Sequence, residues 1–504
     1  LNEPVSQAAV DRPVTAAPIR PPLARLPVFG AMGAVAVVLT IWSSQYGYHR
    51  DELYFRMLKP AWGYVDQPPF TPLLVHLFSL VADEPWAIRI PATATAATSV
   101  LIVTLITREL GGARAAQTLC AWGFAFGAIP LLMGHLISTT TIDFTLWFAV
   151  ILCMIRAELR GDGRWWLAAG LLVGLAMYNK LLIAMLLLAI AAGIAWVGPR
   201  RLLSSRWVVG SAILALVVGS PNLVYQATHS WPQFTMGQAL ADNNAGDVRV
   251  QMWPFLLLLL GPPLVPVWAA GIWGLARRPE WRPIRFLAAA FPVLLVLVFL
   301  AGTQIYYPFG LLGVLYAAGC VEGTERYLGR LAWRPGRVGV GINTLVSGLI
   351  ALPLIPVSAV GSTPVLGINP TVGDQVGWPT YVQQIGRAYE NLSRAERARA
   401  AVVTSNYGEA GALDRYGQAY GIEHVNSGQN ELYFETRPPE SATTMLFVGG
   451  QEPFVRRYFR SCHVVAHLDN GVGVDNEEQG EPVAICRGRS GTWRELWPHF
   501  QHYD

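Results

Sequence analysis

Along this chain, long apolar runs alternate with short loops in which charge is concentrated. A helix needs roughly 20 apolar residues to cross the hydrocarbon core of a bilayer. By that measure about eleven spans are predicted: residues 27–46, 86–107, 115–135, 139–157, 165–179, 181–197, 207–226, 251–275, 286–303, 306–321 and 338–360. The pair 165–179 and 181–197 admits another division around Asn179 and Lys180. Residues 1–26 are rich in Pro and Ala and read as a disordered arm. Residues 27–360 then form the membrane core. After residue 360 the pattern changes. A helical stretch, Gln383 to Ala401, is followed by short β-like runs at Ala401–Thr404, Met445–Val448 and Val464–His467, separated by Gly and Asn. Residues 361–504 are therefore expected to form a small α/β domain. The predicted fold class is an α-helical polytopic membrane protein with a small C-terminal α/β domain.

Composition agrees with the pattern. The chain is 53% hydrophobic and 14% charged, against about 25% charged in soluble domains. The net charge of +4 is small. Its arginines sit in short loops rather than in one stripe, so no nucleic-acid face is expected. The first apolar run lacks a clear small-residue cleavage site and is not read as a cleavable signal.

The arginines also orient the chain. They fall in alternate loops: Arg108 and Arg114; Arg156, Arg160 and Arg164; Arg200, Arg201 and Arg206; Arg277, Arg278, Arg282 and Arg285; Arg326, Arg330, Arg334 and Arg337. Arg12, Arg20 and Arg25 precede the first span. Loops rich in Lys and Arg stay cytoplasmic. An odd number of spans then puts residues 361–504 outside the cytoplasm, and the chain reads as a multi-pass protein of the plasma membrane. Cys120, Cys153 and Cys320 lie in apolar runs and read as inert core residues. An extracytoplasmic tail would allow Cys462 and Cys486 to form a disulfide, with two free thiols as the other reading. No cysteine or histidine spacing suggests a zinc site.

On this topology the polar residues gather at one face. The first outer loop holds Tyr48-His49-Arg50-Asp51-Glu52-Leu53-Tyr54 and Gly63-Tyr64-Val65-Asp66-Gln67-Pro68-Pro69. The run from Phe70 to Leu80 is amphipathic and suits the membrane interface. His135, Asp143, Asn179-Lys180, Pro221-Asn222 and Tyr306-Tyr307 arrive from later spans. Charged residues at membrane depth are costly and commonly line a cavity. Blander readings stand beside this one. Asp143 also fits a solvated helix end, Lys180 a snorkelling lysine, and the two tyrosines an aromatic belt. Asp51, in an Arg-Asp-Glu triplet among aromatics, is the hardest to explain as loop alone.

A site at the boundary of membrane and water suits a substrate with one greasy end and one polar end, such as a polyprenyl-phosphate sugar. Its transfer needs a base for the acceptor hydroxyl and cations for the phosphate. Asp51 is the expected base, and Lys180, Arg50 and Arg89 the expected phosphate partners. Glu52, Asp66, Gln67, His135, Asp143, Tyr306 and Tyr307 are expected to bind or orient substrate. The carboxylates leave a divalent cation open, but the sequence does not show that they converge.

The two first-loop motifs resemble those of bacterial protein-O-mannosyltransferase-like membrane glycosyltransferases, a family that includes the aminoarabinose transferases of lipid A. Asp143 after a Ser/Thr-rich turn, Asn179-Lys180, Pro221-Asn222-Leu223 and Tyr306-Tyr307-Pro308 follow in the family's order. The tail, with Asn406-Tyr407-Gly408-Glu409-Ala410, Ser427-Gly428 and Cys486-Arg487-Gly488, is similar to a soluble domain of many actinobacterial members. The resemblance implies the C-type glycosyltransferase fold. It also implies inverting transfer from a polyprenyl-phosphate sugar, with the first-loop acid, here Asp51, as base. The sequence names neither the sugar nor the acceptor, which stays open among an envelope glycan, a lipid, a protein and a secreted small metabolite. Two positions depart from the family. Gln67 stands where many members have His or Lys, and Gln304 stands near a family lysine. A transporter or flippase of a lipid-linked sugar is the alternative. It would place its polar residues near the midplane and in two related halves, and neither is visible here. A non-catalytic sensor with a ligand-binding tail is a third reading, against which the first-loop carboxylates weigh.

Overall fold

The computed structural model describes residues 20–326 and 333–503, with side chains described from Val338 in the helix Trp333–Ala351. Residues 1–19 of the expected arm, and Arg330 of the last arginine loop, lie outside the described residues. The arm's final residues are held in place, contrary to the expected disorder. Arg108 Nε donates to the Pro21 carbonyl (2.9 Å), and the Ala24 N–H donates to Gln117 Oε1 (2.8 Å). The first helix, Arg25–Trp42, begins directly after them.

The chain is mostly helical, and helices occupy the apolar runs. By length and composition, Arg25–Trp42, Pro85–Glu109 and Arg206–Thr228 are long and apolar enough to cross a membrane. Two bent pairs raise the number from 3 to 5: Arg114–Ala125 with Ala128–His135 (52°), and Pro232–Leu258 with Pro262–Arg277 (73°). Among the described residues this measure falls short of the expected eleven. The remaining runs are carried by shorter helices, such as Ile183–Val197, or by helices with charge inside them, such as Thr139–Arg160 with Asp143 and Arg156. Small residues let these helices approach closely. A Cβ on Gly271 would lie 1.8 Å from the Leu315 carbonyl oxygen, so Val265–Arg277 can lie against Phe309–Arg326 only with glycine there.

The first loop leaves the helix Arg25–Trp42 through a sharp turn at Tyr46 and Gly47, both with positive φ. It then forms the helix Arg50–Met57. His49 caps this helix. Its Nδ1 accepts from the Asp51 N–H (3.2 Å), while Glu52 Oε2 accepts from the His49 N–H (2.8 Å). Asp51 and Glu52 thereby sit in the first turn, where the helix dipole favours acids. The next helix, Phe70–Ser79, buries Thr71, Pro72 and Val75 and exposes Phe70, Leu73 and Leu77. An exposed apolar stripe at this spacing fits a helix lying in a membrane interface.

The C-terminal part holds a five-stranded sheet: β1 (Ala400–Thr404), β2 (Val425–Ser427), β3 (Thr444–Val448), β4 (Phe459–His467) and β5 (Pro482–Arg489). The order is β2-β1-β3-β5-β4, with β1 parallel to β2 and β3, and β5 antiparallel to β3 and β4. The expected helix from Gln383 to Ala401 is instead Trp378–Glu390, a short turn of helix at Arg394–Arg397, and the start of β1. Cys462 and Cys486, directly paired across β4 and β5, form a disulfide.

Residue 360 marks a change in sequence pattern but not a break in packing. Tyr48, Leu53, Tyr54 and Phe55 of the first loop share one apolar core with Trp378, Tyr381, Val402, Leu413 and Leu446 of the C-terminal part. The helix Tyr407–Tyr416 lies directly on Arg50–Met57. A Cβ on Gly411 would come within 2.7 Å of the Leu53 carbonyl oxygen, so only glycine allows that contact. Arg56 fastens the same joint through Asp83 and Asp414, each at 2.6 Å.

Candidate active site

A cavity of about 670 Å³ lies where the first loop, several helix ends and the C-terminal domain meet. Asp51 and Arg50 enter it from the first turn of Arg50–Met57, and Asp66 and Gln67 from the later part of the first loop. Lys180 enters from the short break between Arg164–Ala176 and Ile183–Val197, and Tyr306 and Tyr307 from the turn before the helix Phe309–Arg326. The C-terminal domain contributes Tyr407, Asn430 and Glu477. Open parallel sheets bind ligands beyond the carboxyl ends of their strands. Tyr407 follows β1 and Asn430 follows β2, at that edge of the sheet.

The charges in the cavity are individually held. Asp51 Oδ1 accepts from the Tyr407 hydroxyl at 3.1 Å. Arg50 lies over the Tyr407 ring, 4.8 Å from its centroid, and pairs with Glu477. Lys180 Nζ donates to Thr140 Oγ1 (3.2 Å) and lies 4.9 Å from the Tyr307 ring centroid. Its segment is pinned from two sides. Asn179 Nδ2 donates to the Thr139 carbonyl (2.7 Å), and Asn222 Nδ2 donates to that of Met177 (2.7 Å). These contacts give Asn179 and Asn222 a concrete task, positioning Lys180. Burial, with Glu431 and Asp51 nearby, pushes the Asp66 carboxyl up to about 7. Burial and Glu435 push Glu431, which accepts from the Val65 N–H at 2.8 Å, to about 7 as well.

Four residues expected at the site stand elsewhere. Arg89, expected to hold the donor phosphate, is buried against Glu52, with contacts at 2.8 and 2.7 Å, and also binds the Ser43 and Gly47 carbonyls. A guanidinium with that many fixed partners is committed to structure. Glu52 completes the helix cap and accepts from the Ile137 N–H (3.1 Å), which occupies it fully. His135 lies in the same buried network, 3.3 Å from Arg89 and 3.2 Å from Gln375. Asp143 is fully buried and does not line the cavity; its charged neighbour is Lys180. Among the described residues, no three His, Cys, Asp or Glu side chains converge to hold a metal ion.

Sequence reasoning missed Tyr407, Asn430, Glu477, Gln226 and Gln233, all lining the cavity. Asn406-Tyr407 had stood out only as part of a family-like tail. The stretch 227–250, too polar for a span, is largely helix Pro232–Leu258, which forms one wall.

Comparison with known proteins bears on this arrangement. Residues 66–225 match the family model described as dolichyl-phosphate-mannose-protein mannosyltransferase. The match spans Asp66, Gln67, Asp143 and Lys180. No curated protein matches the chain in sequence. Among solved structures, the fold is similar to that of ArnT from Cupriavidus metallidurans bound to undecaprenyl phosphate. The TM-score is 0.59 at 15% identity, covering 92% of this chain and 98% of that one. The apo form of the same protein gives a TM-score of 0.56 at 15% identity, covering 91% and 97%. The chain thus shares the fold of ArnT. Residues 66–225 are similar to that mannosyltransferase family, a match over less than half of the chain.

Proposed function

We propose that this enzyme transfers a sugar from a polyprenyl-phosphate donor to an acceptor hydroxyl on the extracytoplasmic face, with inversion and with Asp51 as general base. The observation that carries the reading is the cavity itself. It gathers a carboxylate on a rigid, capped helix turn, a lysine on a pinned hinge, and polar groups from the first loop, beside an exposed apolar helix suited to the interface. The arginine-rich loops support placing that cavity outside the cytoplasm, together with residues 361–504. The segment 27–360 is then the membrane core of about eleven spans, with hinges shortening several helices.

In this reading the Asp51 carboxylate takes the acceptor's hydroxyl proton as that oxygen attacks the anomeric carbon. The bond from that carbon to the phosphate oxygen breaks on the opposite face, and polyprenyl phosphate leaves with the electron pair. Lys180 offsets the charge that builds on the phosphate, with Arg50 at longer range because Glu477 already neutralises much of it. Gln67 lines the cavity with its Nε2 unpartnered, a neutral donor for a sugar hydroxyl. Asp143, behind Lys180, sets the position of that ammonium. Tyr306 and Tyr307 form the wall beside it.

The test is turnover of the purified full chain in lipid nanodiscs. It is offered a panel of polyprenyl-phosphate pentoses and hexoses with envelope glycan, lipid and peptide acceptors. The reading expects sugar-dependent release of polyprenyl phosphate and a product of opposite anomeric configuration. Vectorial movement of the intact donor without release would establish a flippase instead.

A further inference from the structure

Gln226 is 1% exposed, close to the end of the helix Arg206–Thr228, and lines the cavity. Its Oε1 accepts from the backbone N–H of Gln233 at 3.3 Å. A backbone N–H can only donate, so this contact decides which way the amide points. Nε2 is therefore the atom left over, and it has no protein partner. The chain between the two glutamines turns back through Ser230 (φ 60°) and Trp231 (φ 55°). Two consecutive left-handed residues without glycine are strained. The turn is closed by the Trp231 N–H on the Gln226 carbonyl (2.7 Å). The result puts Gln226, Trp231 and Gln233 on one wall.

The same cavity holds further side-chain atoms without a protein partner: Nε2 of Gln67 and of Gln233, Oγ1 of Thr303, and Oδ1 of Asp66. Buried polar atoms are rarely left unpaired in folded proteins, so a cluster of them on residues that line one cavity marks a place for a ligand. Their chemistry narrows what that ligand is. Three amide N–H donors require acceptors. An ammonium group offers none, because it carries donors only. An anionic group would accept, but it would face the Asp66 carboxylate. A hydroxyl satisfies both kinds of partner, since it accepts from an amide and donates to a carboxylate. The exposed Trp231 ring adds an apolar face for the C–H side of a sugar.

We infer that Gln226, Gln233 and Gln67, with Asp66 and Trp231, form a subsite for a neutral, hydroxyl-rich sugar ring. The inference rests on reading this cavity as the glycosyl-transfer site. The donor's own sugar and a glycan acceptor present the same hydroxyls, so the test separates them.

The experiment measures binding to the purified full chain in nanodiscs. The probes are bare polyprenyl phosphate, polyprenyl-phosphate mannose, glucose and arabinose, and the 4-amino-arabinose analogue, with methyl glycosides of the neutral sugars added to the bare lipid phosphate. Gln226→Glu keeps the acceptor for the Gln233 N–H and removes the free donor. Gln226→Ala serves as a second variant, and thermal melting reports folding. At least one neutral sugar should tighten wild-type binding over bare lipid phosphate, and the amino sugar should gain less. Both variants should lose about tenfold of that gain, and the neutral variant Gln226→Ala should bind bare polyprenyl phosphate within twofold of wild type. Loss on the sugar-bearing lipid assigns the subsite to the donor. Loss confined to the methyl glycosides assigns it to the acceptor. Equal losses on bare and sugar-bearing lipid, or no loss in either variant, overturn the subsite. So does a wild type that binds polyprenyl phosphate but gains nothing from any neutral sugar, an outcome that leaves the donor-phosphate reading standing. A wild type that binds no polyprenyl phosphate overturns both.

Discussion

The hydroxyl of Tyr407 donates to Asp51 Oδ1 at 3.1 Å, joining residues 356 positions apart. The contact ties the C-terminal domain to the first loop at the carboxylate proposed as the base. Tyr407 is itself fixed by the Arg50 guanidinium over its ring and by its N–H on Gln429 Oε1 (2.7 Å). A hydrogen bond to a carboxylate orients it.

Tyr407→Phe should therefore lower kcat by about tenfold, the scale of one hydrogen bond to a charged group. Its melting temperature should stay close to wild type. A reduced kcat with a lowered melting temperature would mean that Tyr407 supports the fold rather than the base, and an unchanged kcat would show that the contact does not serve it.

Arg89 and Glu52 should behave as structure. Removing one partner of a buried pair costs about 3–5 kcal/mol. Arg89→Met should lower the melting temperature or abolish folding, and any folded fraction should bind polyprenyl phosphate as wild type does. A stable Arg89→Met protein with weakened lipid-phosphate binding would restore Arg89 to the donor site.

Lys180 carries the phosphate half of the proposal. Lys180→Ala should weaken binding of bare polyprenyl phosphate about tenfold, as expected for one charge-assisted contact. Lys180→Arg should recover part of it. Unchanged binding in the alanine variant, measured by calorimetry in nanodiscs, would shift that role to Arg50.

Glu431 gives a stability prediction with a defined sign. Its folded-state carboxyl is raised to about 7, well above its ordinary value, because burial disfavours the charge. Between the ordinary carboxylate range and pH 7 the folded state binds more protons than the unfolded one. The stabilisation is complete below the unfolded value and is lost as pH rises through about 7. Glu431→Gln removes the titration and keeps an acceptor for the Val65 N–H. It should match wild type in melting temperature at pH 5 and exceed it by about 1–2 °C at pH 8. Equal melting at both pH values would show that Glu431 carries no such penalty.

Much of this architecture was legible in the sequence, because its signals are local. Apolar runs mark helices whatever they pack against, and the first-loop motif places Asp51, Asp66 and Gln67 within a short stretch. Lys180 was legible because a lysine amid apolar residues has few places to go. What escaped is what depends on distant partners. Arg89 near a span start looks like any interfacial arginine until Glu52 is seen beside it. Tyr407 and Glu477 reach the cavity only because the first loop and the sheet share a core, and no periodicity records that. Gln226 looks like a polar helix end; its importance comes from the strained turn at Ser230-Trp231 and from the partner its Nε2 lacks.

The most direct test of the account is single-turnover transfer by purified Asp51→Asn in nanodiscs, measured beside its binding of polyprenyl phosphate. The substitution keeps size and shape, and it removes the proton acceptor. The account predicts loss of transfer by about a thousandfold or more, within the range that a positioned base supplies, with lipid-phosphate binding and melting temperature close to wild type. Transfer at the wild-type rate by a folded Asp51→Asn protein would contradict it.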